Sequence, residues 1–113
     1  MWTTAFLGLL GLGLGALIGF YLPVSLPQDY AKYMSVATLA ALDSVFGGIR
    51  SAFENKFDKD IFVSGFFSNT ILAASLTYIG DRLGIELYLA AIVAFGVRLF
   101  QNLAIIRRYI LKN

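Results

Sequence analysis

Ala40-Ala41-Leu42-Asp43-Ser44-Val45-Phe46-Gly47-Gly48-Ile49-Arg50-Ser51-Ala52-Phe53-Glu54 is the stretch whose reading decides the fold. At about 100° per helical residue, Asp43, Gly47, Arg50 and Glu54 fall within a narrow arc, so a carboxylate, a gap and two more charges share one helix face. The residues before Asp43 are apolar enough for a bilayer, where a carboxylate is costly unless it faces protein or water. Asp43 is therefore expected to look inward, toward a partner. The expected partner is Arg98, the basic residue set deep inside another apolar stretch. Arg50 and Glu54 read as interfacial charges, and Gly47 as a place where a second helix packs closely.

The rest of the composition agrees with a membrane setting. Of 113 residues, 58% are hydrophobic and 14% charged, with a mean hydropathy of +0.75. Soluble domains carry about 25% charged residues. A net charge of +2 suggests nucleic acid at first sight, but the basic residues gather at the ends of apolar segments, where they orient membrane helices. No nucleic-acid partner is expected. The chain has no Cys and no His, which removes disulfides, thiolate chemistry, thiol or imidazole metal ligands and nucleophile–His arrangements. Neither a cofactor nor a metal site is expected, and no catalytic residue is assigned.

Working outward along the chain, four apolar segments predict helices over about 4–22, 30–50, 61–80 and 85–108, all in one domain spanning 1–113. The first has no charged residue from Thr4 to Leu22, and no Lys or Arg precedes it, so it is expected to remain as a helix rather than be cleaved. Gly11, Gly15 and Gly19 repeat at i, i+4, i+8, a doubled G-x-x-x-G face that admits a close neighbour. That neighbour is either a helix of the same chain, the reading favoured here, or a helix across an oligomer seam. Pro23 and Pro27 end the first helix, and Tyr30, Lys32 and Tyr33 read as an interfacial belt. The second helix is expected to reach about Ile49, with a wetted helical extension to Phe53 or beyond as an option. Ser51 to Asp60, mixed in charge, reads by default as a solvated connector, the alternative being a short amphipathic connector along the membrane surface with Phe53 and Phe57 on one side. Gly80-Asp81-Arg82-Leu83-Gly84 reads as a tight polar turn.

Lys and Arg outside the spans divide six to two: Arg50, Lys56, Lys59, Arg107, Arg108 and Lys112 against Lys32 and Arg82. The expected fold is an all-α membrane protein with four transmembrane helices, N-in and C-in. On that topology Asp43, Asn69 and Arg98 each lie roughly 9–12 Å inside the cytoplasmic boundary at about 1.5 Å per residue. With Gln101 and Asn102 on the face of Arg98, they are expected to form a polar layer in the cytoplasmic half, the amides hydrogen-bonding the carboxylate or Asn69. Such a layer often does no more than fix helix register. The sharper alternative is an ion, proton or solute path.

The motifs A-L-D-S-V-F-G-G-I-R at 41–50, G-F-F-S-N at 65–69, G-D-R-L-G at 80–84 and A-F-G-V-R-L-F-Q-N-L-A-I-I-R-R at 94–108 resemble the small basic protein family of bacteria. The resemblance covers nearly the whole chain and is weakest in the first helix. It implies a short, multi-pass integral protein of the bacterial plasma membrane, of the kind encoded beside cell-division and envelope genes in Gram-positive bacteria and some relatives, and it implies no mechanism. The expected function is accordingly a non-enzymatic interaction or accessory factor of the division and envelope machinery. Its expected partners are the lipid bilayer, further copies of itself and other membrane proteins. The alternative is a small oligomeric transporter or channel using Asp43, Asn69 and Arg98. An intramembrane enzyme is poorly supported: Asp43 has no second buried carboxylate beside it, and Ser44 has no base nearby other than Asp43.

Overall fold

A computed structural model describes residues 2–22, 25 and 27–112. Four helices account for most of the chain: α1 (Trp2–Tyr21), α2 (Gln28–Phe53), α3 (Lys59–Leu83) and α4 (Tyr88–Lys112). Each is long and apolar enough to cross a membrane by length and composition. Pro23, at the start of the expected Pro23–Pro27 turn, lies outside the described residues, whereas Pro27 is extended and its carbonyl accepts from the Tyr30 and Ala31 amides at 3.0 and 3.1 Å.

α2 is the hub. α3 and α4 each pack along it far more than on each other, and α1 approaches closely only α2. Toward the α3–α4 turn the interior is apolar, with Val36, Ala40, Ala73, Ala91 and Phe95 in one cluster. Toward the α2–α3 loop, Ala5, Ile49, Phe53 and Ile106 form a second, on the side of the bundle that α1 covers. The Phe53 ring joins them: Trp2 meets it edge-on at 5.0 Å and Tyr109 stacks on it at 5.8 Å.

The helix boundaries follow from capping. α2 runs to Phe53, and Asn55 then turns the chain with φ 58. Asp58 caps α3, its Oδ1 accepting from the Asp60 and Ile61 amides at 2.9 and 3.2 Å. The extension of α2 to Phe53 agrees with the longer option for that helix, and the alternative of an amphipathic connector is corrected, because Phe53 is buried inside α2 while Phe57 is exposed beyond the break. At the other end α3 continues through Gly80 to Leu83, and Gly84 adopts the left-handed conformation at φ 72. The Ile85 amide donates back to the Gly80 carbonyl at 2.9 Å, closing a Schellman cap. A Cβ on Gly80 would stand 2.5 Å from the Ile85 carbonyl oxygen, so this glycine is required for the turn to fold back onto the helix. The cap occupies Ile85 to Leu87, and α4 therefore starts at Tyr88 rather than at 85.

The glycines of α1 depart from the within-chain reading. A Cβ built on Gly11, Gly15 or Gly19 meets nothing within 4 Å, whereas Gly8 lies against Ile49, at 3.2 Å from Cγ1. α1 meets α2 at Gly8, and among the described residues nothing covers the face of Gly11, Gly15 and Gly19.

Candidate functional site: a polar cleft ending on a buried acid–base pair

Asp43 sits one turn beyond Ala40 on α2 and is 1% exposed. Arg98, one turn beyond the Phe95 level on α4, reaches it with Nε 3.3 Å from Oδ1. The pair is lopsided. The Asp43 side chain is wholly buried, while 57% of the Arg98 side chain is exposed. The contact is an ion pair without hydrogen-bond geometry, and among the described residues no group donates to either Asp43 oxygen. The hydroxyl of Ser44 beside it is likewise buried and unpartnered. A buried carboxylate is ordinarily held by several donors, and each one missing costs about 1–3 kcal/mol.

The pair closes the inner end of a cleft of about 380 Å³ between α2, α3, α4 and the α2–α3 loop. Gly47, Arg50 and Glu54 line its α2 wall, Asn69 its α3 wall, and Gln101 and Asn102 its α4 wall, while Lys56 and Asp58 stand exposed at its mouth. The arc of Asp43, Gly47, Arg50 and Glu54 thus faces one space. Arg50 Nε lies 3.5 Å from Glu54 Oε2 one turn on, and its Nη1 donates to Asn102 Oδ1 at 3.2 Å. Along α3 the cleft is walled by aromatic rings, with Phe57, Phe62 and Phe66 in successive contact at 5.7 and 6.2 Å.

Several expectations change at this level. Asn102 is buried but serves Arg50, and neither it nor Gln101 or Asn69 hydrogen-bonds Asp43. Asn102 lies just over a full helical turn beyond Arg98, which sets its amide at the height of Arg50. The glycine that brings helices together is Gly48, whose Cβ would stand 2.9 Å from the Phe62 ring, while Gly47 has only Asn102 Nδ2 at an ordinary 3.6 Å. Sequence reasoning also missed a second charged contact. Lys32 on α2 pairs with Asp81 on α3, Tyr33 Oη donates to Asp81 Oδ2 at 3.2 Å, and the Lys32 ammonium lies 5.1 Å from the centre of the Tyr88 ring on α4. Its signal was available: opposite charges at matching ends of antiparallel neighbours.

Among the described residues no three His, Cys, Asp or Glu side chains gather as a metal site, and Ser44 has no base other than a carboxylate already paired with Arg98.

These features define a class: an all-helical protein with four helices of membrane-spanning composition and an acid–base pair buried at the end of a polar cleft. The chain belongs to the bacterial small basic protein family. Residues 26–111 match the family described as "Protein of unknown function (DUF1290)". The "Small basic protein" of Bacillus subtilis is 54% identical over 105 residues, covering 93% of this chain and 87% of the relative. Uncharacterized proteins of Mycobacterium bovis and Mycobacterium tuberculosis are each 39% identical over 110 residues, covering 95% of this chain and 91% of theirs. No solved structure matches the chain. None of these relatives' names carries an enzyme activity.

Proposed function

We propose that this protein is a non-enzymatic, multi-pass component of the bacterial plasma membrane, with both termini and the α2–α3 loop in the cytoplasm, that binds another membrane protein through its polar cleft. The observation that carries the reading is the Arg98 guanidinium: it lies within an apolar span, its side chain more than half exposed, with Nε against Asp43 and no hydrogen bond to any of the described residues. A guanidinium at that depth is stabilised by an acceptor, and a carboxylate or carboxamide on a neighbouring helix supplies one. The six-to-two division of basic residues supports the orientation.

Binding is favoured over conduction because the cleft has a blind end. Past the Asp43–Arg98 pair the interior is filled by Val36, Ala40, Ala73 and Phe95, which leaves a solute no polar continuation. The partner belongs, on the family resemblance, to the division or envelope machinery. The uncovered glycine face of α1 supports a further contact with another copy of the chain.

A photo-crosslinking amino acid in place of Gly65, on the open wall of the cleft, tests this in intact membranes. The expected result is a discrete adduct with one membrane protein that disappears in Arg98→Gln and is not formed from a lipid-facing position such as Ile71. Lipid adducts alone, or an adduct indifferent to Arg98, contradict the reading. Co-purification of two differently tagged copies tests self-association separately.

A further inference from the structure

The unmet demand at the bottom of the cleft is for hydrogen-bond donors. Three buried oxygens, both of Asp43 and the hydroxyl of Ser44, receive none from the described residues. Thr77, equally buried on α3, shows the alternative, since its hydroxyl satisfies itself on the Ala73 carbonyl at 2.8 Å. Ser44 makes no such bond, although the carbonyl one turn back on α2 is just as near in sequence. Both unsatisfied residues line the cleft, which is about 380 Å³ in volume, far more than the roughly 10–15 Å³ that a single water requires.

The chemistry of the walls selects the occupant. A metal ion or ammonium group at Asp43 would share the carboxylate with the Arg98 guanidinium already beside it. A small anion drawn to Arg98 would meet the Asp43 carboxylate beside it, and the charges further out give it no net attraction, since Arg50 and Lys56 stand against Glu54 and Asp58. A neutral species that donates to the carboxylate and accepts from the unengaged Arg98 nitrogens and the Asn69 and Gln101 amides meets every requirement. Water does both, and polar, roomy interior sites are where water is held.

We propose that the cleft is a water-filled inlet that runs from the α2–α3 loop to Asp43 and Ser44. The water supplies the donors these oxygens lack, and solvates the exposed side of Arg98 within the membrane. The Asp43–Arg98 pair and the apolar layer behind it end the column. The inlet rests on the proposed topology only for the side of the membrane it opens to. When a partner docks at Arg98, its polar group replaces part of this water.

The chain has no Cys, so single cysteines report water access cleanly. The thiolate, which forms only where water reaches the sulfur, attacks the sulfenyl sulfur of a methanethiosulfonate reagent, forming a mixed disulfide and releasing methanesulfinate. Ser44→Cys, Asn69→Cys and Gln101→Cys, in the full chain in sealed vesicles of known sidedness, are to be compared with Ile71→Cys, which lies at similar depth on the exposed face of α3. A membrane-impermeant trimethylammonium reagent applied from the cytoplasmic side is expected to label the cleft positions at least about tenfold faster than Ile71→Cys, since only hydrated thiols ionise. Rates equal to that control in variants that elute as folded protein overturn the inlet. Should Ser44→Cys fail to fold, Asn69→Cys and Gln101→Cys decide the same question. Fast labelling from the opposite side instead keeps the inlet and overturns the proposed orientation, and loss of the Gly65 crosslink with fast labelling overturns the docking reading alone.

Discussion

The two ends of the bundle handle their polar groups in opposite ways. At the α3–α4 turn, Asp81 is met by Lys32 and Tyr33 while Tyr88 covers the ammonium, so α2, α3 and α4 are tied by a network whose partners all come from the chain. Thr77 below it satisfies itself. At the α2–α3 loop end, Asp43 has one off-axis guanidinium and no hydrogen bond, and α3 and α4 stand apart around a cleft. A chain that completes its polar contacts at one end and leaves them incomplete at the other concentrates stability in the first and recognition in the second.

Breaking the pair at the cleft gives the largest expected effect, and the asymmetry of burial sets its direction. Arg98→Gln strands a wholly buried carboxylate and is expected to cost about 3 kcal/mol, the low end for a buried charge losing its partner. Asp43→Asn leaves a guanidinium that already reaches outward, and is expected to cost about 1 kcal/mol or less. Denaturant unfolding of the two variants in mild detergent checks the order, and equal losses would contradict the lopsided burial.

Next in size is Gly80→Ala at the opposite end. The added methyl collides with the Ile85 carbonyl and Leu87, and a forced shift of this kind is expected to cost about 1–3 kcal/mol. Its thermal midpoint should fall well below that of Gly65→Ala, where a Cβ meets nothing within 4 Å. Asp81→Asn sharpens the comparison further. The Lys32–Asp81 contact is partly exposed, so removing its charge is expected to cost at most about 1 kcal/mol, and less in high salt. A loss larger than that of Arg98→Gln would invert the account. The smallest effect belongs to Gly15→Ala, which is expected to change folding by less than about 0.5 kcal/mol and to register only in co-purification of tagged copies.

Much of this architecture is legible in the residues, for identifiable reasons. Four apolar runs give four helices because hydropathy alone defines a span, and the equal depths of Asp43 and Arg98 follow from counting 1.5 Å per residue. What counting does not give is rotation about each helix axis, which packing decides. Gly48 against the Phe62 ring brings α3 onto α2, and the pitch of α4 carries Asn102 to Arg50 instead of Asp43. The glycines of α1 mark where a helix can approach without naming the helix that does. Lys32 and Asp81 lie 49 positions apart, and their meeting depends on the Schellman cap that fixes where α3 ends.

The central claim is that Arg98 is held in place by an acid that has no other support among the described residues. A double-mutant cycle on Asp43→Asn and Arg98→Gln tests it most directly. The account predicts that the double variant is more stable than Arg98→Gln alone, because no charge is then left buried. A double variant whose loss equals the sum of the two single losses would show that the side chains do not depend on each other, and would contradict the account.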